Sequence, residues 1–102
     1  MILVIASVEV EEGYREDFLK EINRIVPLVR AEPGCLEYGP AIDLPTDIAA
    51  KLPPRGDVVT IVEKWESVSH LKAHLASPHM ATYRERVKRI VSRAALQVLQ
   101  PA

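Results

Sequence analysis

Between Glu63 and Arg84 the chain gathers most of the side chains that could move a proton or hold an aromatic ring: Glu63, Trp65, His70, His74, His79 and Tyr83. His74 stands between Leu71, Leu75 and Pro78, on the apolar side of a short helical pattern. An imidazole there can accept a proton near neutral pH, the task its unperturbed pKa suits. The alternative is a core-edge histidine satisfied by one backbone acceptor. Glu63 and Trp65 share a face of any extended segment, because side chains alternate along a strand. If that face looks toward the helices, a carboxylate and an indole enter the cleft between sheet and second helix. Otherwise Trp65 is core and Glu63 turns to solvent. Tyr38 and Tyr83 offer phenols to a polar ligand, or simply edge the core.

Other chemistries find less support. His70 and His74 are four apart and could ligate a metal from one helical face, with His79 as a distant third. No carboxylate or third imidazole stands at firm spacing, so no metal is expected. Cys35 is the only cysteine, which excludes an internal disulfide and a thiolate cluster, and no basic neighbour in sequence activates it. The basic run Arg84, Arg86, Lys88, Arg89, Arg93 reads as a solvated helix face near a helix C-terminus. A Gly-rich phosphate loop, a Ser-His-Asp order and a dinucleotide fingerprint are all absent, so no cofactor is expected.

The elements that must position these groups follow from pattern. Residues 2–10 alternate with apolar side chains at both parities, a strand covered on both faces. Tyr14, Phe18, Ile22, Ile25 and Val29 mark an amphipathic helix to about Ala31, with Pro27 bending its last turn and Pro33-Gly34 ending it. Residues 35–43 read as an edge or bulged strand because Pro40 cannot donate to a ladder. Residues 44–56, with Pro45, Pro53 and Pro54, read as a loop long enough for a lid or a binding loop. Residues 57–65 form the clearest strand. Ser67 caps a short helix, and Ser77-Pro78 restarts helix through Met80, Tyr83, Val87 and Ile90. Residues 93–100 close as a last strand.

The order β-α-β-β-α-β is the split-βαβ, ferredoxin-like α+β arrangement, as a single domain over residues 1–102. Two helices cover one face of a four-stranded sheet. The other face would be an apolar patch larger than a soluble monomer tolerates, so a homodimer through the sheet face is expected. With 102 residues and 13 Lys+Arg against 14 Asp+Glu, the chain has no general attraction for nucleic acid or anionic membrane. The Ile2–Ala6 run lacks the flanks of a targeting segment, and a lone cysteine suits a reducing cytoplasm.

Taken together, Glu32-Pro33-Gly34-Cys35-Leu36-Glu37-Tyr38, Glu63-Lys64-Trp65-Glu66-Ser67, His70-Leu71-Lys72-Ala73-His74-Leu75, Ser77-Pro78-His79-Met80 and Tyr83 resemble the antibiotic-biosynthesis monooxygenase superfamily. Ile25-Val26-Pro27 and Leu99-Gln100-Pro101 resemble its bacterial quinol monooxygenase branch. The resemblance implies a dimeric α+β barrel that oxygenates electron-rich hydroquinones, naphthoquinols or anthrones with O₂, without metal, haem, flavin or nicotinamide. By motif, Trp65 is its pocket tryptophan, lining and orienting the aromatic ring. His74 is the preferred proton acceptor, with Glu63 as its partner or as an alternative base. Tyr38, His79 and Tyr83 are then pocket polar groups.

Ala6, His74 and Arg84 stand where the haem-degrading branch has Asn, Trp and His, which speaks against haem cleavage. Thr60, Ile61 and Val62 replace the Asn of antibiotic-tailoring members, which favours simple quinols over polyketides. The competing expectation is a non-catalytic dimer that binds quinone-like aromatics. A purely structural domain would have no ligand-sized cavity near Trp65.

Overall fold

Alternation along the first strand turns Val4, Ala6, Val8 and Val10 inward, where all four are buried, and leaves Leu3, Ile5 and Ser7 half-buried on the opposite side. The computed structural model describes all 102 residues. It runs β1 (Ile2–Val10), α1 (Arg15–Arg30), β2 (Cys35–Ala41), β3 (Val58–Trp65), α2 (Val68–Leu75), α3 (Pro78–Val87) and β4 (Val91–Leu99). The strands form one antiparallel sheet in the order β2-β3-β1-β4. This is the expected ferredoxin-like α+β fold, its second helix broken in two.

The core lies between the sheet and the helices. The α1 stripe buries Phe18, Ile22, Ile25, Val26 and Val29 against Val59, Ile61 and Trp65 of β3 and the inward residues of β1. Phe18 meets Tyr83 of α3 edge to face at 6.1 Å between centroids, which joins the helices. Pro27 is accommodated: the helix continues to Arg30, and the Pro27 carbonyl accepts from Ala31 N–H at 3.2 Å.

Two corners of the chain set where the polar side chains of the helices can meet the sheet. After α1, Gly34 adopts φ +78°, and a Cβ there would run into the His70 ring, so the turn requires glycine. Its carbonyl accepts from Glu66 N–H at 2.9 Å, which ties the turn bearing Glu32 to the end of β3. The second corner is the break between α2 and α3. Ser67 Oγ accepts from His70 N–H and Ser77 Oγ from Met80 N–H, with Pro78 at the first helical position. Each serine satisfies an otherwise orphaned helical donor.

Several boundaries move. β2 ends at Ala41 rather than at residue 43, and its register slips between Cys35 and Glu37; it is an edge strand, as Pro40 requires. β4 starts at Val91, not 93, and Ile90 leaves the helix for a turn closed by its N–H on the Val87 carbonyl at 3.0 Å. The segment between β2 and β3 has no strand or helix, and Asp43 pins it by a two-pronged pairing with Arg55 at 2.8 and 3.0 Å. Within the chain it does not reach the cavity: Leu44, Ile48 and Leu52 stand exposed and border no part of the space between the sheet and the short helices.

The second face of the sheet has no cover within one chain, although residues 2–10 read as a strand buried on both sides. Leu3 and Ile5 of β1 and Val58, Thr60 and Val62 of β3 lie there half-buried. β4 is an edge: Leu99 stands exposed on that face opposite Leu3, while Leu96 and Val98 stand exposed on the helix side, opposite Ala6 and Val4. No helix is long and apolar enough to cross a membrane.

Candidate active site

β3 buries every second residue, and the last two of that series are Glu63 and Trp65. Both face the helices, as one of the two readings of their spacing required. Glu63 does not turn to solvent: one carboxylate oxygen accepts from the Trp65 indole N–H at 2.8 Å. Loss of water pushes the Glu63 carboxyl up to about 7, against the opposing pull of the indole hydrogen bond, with help from the nearby Glu32 charge. Near neutral pH it is therefore poised between acid and carboxylate.

His74 projects from α2 into the same layer and is 1% exposed. Its ring lies tilted on Trp65 at 4.7 Å and meets the edge of Tyr38 at 5.4 Å. Nδ1 lies 2.9 Å from Glu32 Oε2, in the turn after α1. A carboxylate can only accept, so Nδ1 carries the proton and Nε2 keeps its lone pair. Burial holds the His74 pKa below the ordinary histidine value, against the raising influence of Glu32. The ring stays neutral where a solvated histidine would charge.

These groups border a cavity of about 280 Å³ between the sheet and the two short helices. Its wall is mostly apolar: Ala6 and Val8 of β1, Ile61 of β3, Leu75 of α2, Met80 of α3, Ala94 and Leu96 of β4. Tyr38, Glu63, His74, Tyr83 and Arg84 supply its polar groups. No side-chain polar atom shut away from solvent lacks a partner. His74 Nε2, the second Glu63 oxygen and the Tyr38 and Tyr83 hydroxyls make no protein hydrogen bond, so they open onto this space. Burial pushes both phenols up, and they remain donors throughout the physiological range. A larger groove of about 450 Å³ lies on the uncovered face of the sheet, lined by Ser7, Glu9, Arg55, Asp57 and Arg93 among others, and holds neither imidazole nor aromatic ring.

Four of the six residues singled out from sequence thus meet at one cavity: His74, Glu63, Tyr38 and Tyr83. Trp65 does not line it. The indole is fully buried behind His74 and Glu63, and it positions both rather than facing the space. His79 lies on the far side of Glu32, where Nε2 sits 2.8 Å from the same Oε2 and the ring borders a cleft between α1 and α3. The expected pairing of His74 with Glu63 is not made, because Glu63 is engaged by Trp65 and the carboxylate against His74 is Glu32.

Glu32 is 42 residues from His74 in sequence, so no spacing rule could join them; only its place at the head of Glu32-Pro33-Gly34-Cys35 marked it. Arg84, counted with the solvated basic run, instead reaches the cavity and donates to the Leu75 carbonyl at 2.9 Å.

His70 and His74 do not form a shared ligand pair: the His70 ring turns to Ser67 Oγ at 2.7 Å. Glu32, His74 and His79 do converge, their ligand atoms within 4.8 Å of one another. Around a zinc ion with bonds of about 2.1 Å, tetrahedral ligand atoms stand roughly 3.4 Å apart. Both ring nitrogens here lie 2.8–2.9 Å from one oxygen, which is hydrogen-bond spacing. Cys35 is half-buried, and its thiol is pushed up by burial first and by Glu32 and Glu63 after that, which disfavours the thiolate.

A ferredoxin-like sheet with helices on one face, bordering a small and mostly apolar cavity with a buried imidazole on its wall, defines a small α+β protein. The chain belongs to the antibiotic biosynthesis monooxygenase family, whose sequence model matches residues 1–86. It is 38% identical over 104 aligned positions to the Escherichia coli K12 protein named "Probable quinol monooxygenase YgiN", covering 99% of this chain and 98% of that one. The Shigella flexneri protein of the same name matches equally. Among solved structures, Rv0793 of Mycobacterium tuberculosis superposes with a TM-score of 0.79 at 26% identity, covering 99% and 94% of the two chains. PA3566 of Pseudomonas aeruginosa does so at 0.81 and 20% identity, covering 99% and 93%.

Proposed function

We propose that this protein is a cofactor-independent monooxygenase that oxidises a small hydroquinone with O₂. The observation that carries the reading is His74: its Nδ1–H is held by Glu32 while Nε2 opens into an apolar cavity. The family membership and the quinol monooxygenase name of the 38% identical relative support the same reading.

In this scheme Nε2 takes the proton of a substrate hydroxyl. The resulting phenolate is a much stronger reductant and passes one electron to O₂. Superoxide and the substrate radical then combine to form a carbon–oxygen bond. Return of that proton to the outer oxygen gives a hydroperoxide. Loss of the C–H proton from the peroxide-bearing carbon then forms a carbonyl as the O–O bond breaks, and the departing hydroxide takes up a proton to leave as water. The substrate supplies the electrons, so the protein needs only to bind, to hold the proton and to limit water.

Tyr38 and Tyr83 donate to the substrate oxygens, and Arg84 at the cavity wall favours the anion. Glu63, near its midpoint at neutral pH, is the proton source for the leaving oxygen or an alternative base. Trp65 fixes both acid–base groups from behind. A space of about 280 Å³ sits at the lower edge of small-molecule sites, which suits a one- or two-ring quinol better than a polyketide.

Oxygen-electrode measurements with menadiol test the reading. Saturable O₂ uptake above autoxidation, proportional to enzyme, is the expected result. Saturable binding with no added uptake would instead identify a module that sequesters quinone-like aromatics.

The functional unit in this proposal is a homodimer of single-domain chains in a reducing cytoplasm, paired through the uncovered sheet face. Leu3, Ile5, Val58 and Val62 form an apolar patch there that a second copy would bury. Light scattering of the eluting peak should give twice the chain mass, and Ile5→Asp should halve it. A wild-type monomer at micromolar concentration would overturn the pairing.

A further inference from the structure

Oε2 of Glu32 receives two imidazoles at once, and they face different compartments. His74, on one side at 2.9 Å, is 1% exposed and opens onto the cavity. His79, on the other at 2.8 Å, has a side chain 23% exposed and lies in the cleft between α1 and α3. Nδ1 of His79 has no protein partner and is open to solvent. A single carboxylate oxygen is therefore the only atom between a buried base and an accessible one.

We propose that His74, Glu32 and His79 form a proton relay that moves the substrate's proton out of the cavity and brings it back to the outer peroxide oxygen. The proposal rests on the monooxygenase reading and assigns His79 a role outside the pocket. Its physical reason is charge separation. A proton left on His74 would pair with the phenolate in a poorly screened space and make it hold its electrons more tightly. Past Glu32 the same charge sits beside solvent, where screening is strong.

The transfer balances without any change of electron count. Nε2 of His74 takes the hydroxyl proton as Nδ1–H passes its own to Glu32. At rest Nε2 of His79 also carries a proton, because the carboxylate can only accept. For outward transfer the ring first exchanges that proton through solvent for one on Nδ1, then takes the Glu32 proton on Nε2 and gives Nδ1–H to water. The reverse sequence returns that proton to the outer peroxide oxygen, ahead of the O–O cleavage that Glu63 serves. Around His74 the charged or titratable groups are Glu32, Tyr38, Glu63, His79, Tyr83 and Arg84; around His79 they are Glu32, His74, Tyr83, Glu21, Arg24 and Arg86.

His79→Asn is the informative variant, since a side-chain amide still donates to Glu32 but passes no proton. With menadiol, kcat is expected to fall about tenfold or more at unchanged KM. Added imidazole, small enough for the vacated space, should restore much of the loss. An unchanged kcat, or a loss that imidazole does not relieve, overturns the relay.

A readout free of turnover separates this from failure of the quinol reading. If the wild type consumes no O₂ with menadiol, that reading falls, and ¹⁵N NMR of the histidine rings still decides the relay. His79→Asn and Glu32→Gln should each shift the His74 titration. A His74 titration blind to both changes overturns it. So does tight Co²⁺ binding that Glu32→Gln abolishes, which would make the three side chains a coordination site.

Discussion

His74→Asn is expected to lower kcat/KM for menadiol by about 10²–10⁴-fold, the range for loss of a positioned general base. Asparagine is the sharp choice because its amide can replace the Nδ1–H donor to Glu32, leaving the part-buried carboxylate satisfied and the fold intact. What it removes is the lone pair directed into the cavity. The loss should fall in kcat, with KM little changed, because the wall of apolar side chains and the two phenols remain.

The pH profile of the wild type carries a second signature. Burial holds the His74 pKa below the usual histidine value, so the acid limb of kcat/KM should lie below that value as well. As pH falls through that limb, Nε2 takes a solvent proton and stops acting as a base. If neutral Glu63 delivers the proton that releases water, an alkaline limb should appear near pH 7, where its carboxyl ionises. A His74→Asn enzyme at wild-type rate would remove His74 from the chemistry and leave Glu63 as the remaining candidate base.

The contrast between Glu63 and Glu32 shows what a sequence can say about such a site. Period-two alternation puts Glu63 and Trp65 on one face, and the buried half of β3 carries both. Local rules also locate the edge strand at Pro40 and the restart of helix at Ser77-Pro78, because those signals act within four residues. Glu32 reaches His74 only because the glycine turn after α1 is tied to the end of β3 by the Glu66–Gly34 hydrogen bond. That contact spans 42 positions and has no period. Arg84 and His79 escape sequence reasoning for a related cause. Helical spacing says which residues share a stripe, but not how far a long arginine reaches or on which side of a carboxylate an imidazole settles. The β4 start moves to Val91 because the α3 turn closes one step earlier than apolar spacing through Ile90 implies.

Glu63→Gln should change how stability depends on pH, in a direction that follows from burial. The Glu63 carboxyl ionises at about 7 in the folded chain against 4.5 when free. Between those values the unfolded chain has already lost a proton that the folded chain keeps. Unfolding free energy therefore falls as pH rises from about 4.5 to about 7 and levels off above. A shift of that size is worth on the order of 3 kcal/mol, a large fraction of the stability of a domain of this length.

His74 works in the opposite sense. Its lowered pKa means that the unfolded chain gains a proton first as pH falls below the ordinary histidine value, so acid removes that part of the stability. The two slopes overlap in the wild type, and the glutamine variant separates them. Its amide oxygen still accepts from the Trp65 indole, so the buried hydrogen bond survives while the titration is gone. Denaturant unfolding of both proteins across pH 4.5–7.5 should therefore show the variant gaining on the wild type by a few kcal/mol as pH rises. A constant difference would mean that Glu63 ionises as a solvated carboxylate does, and that the cavity is wetter than its apolar wall implies.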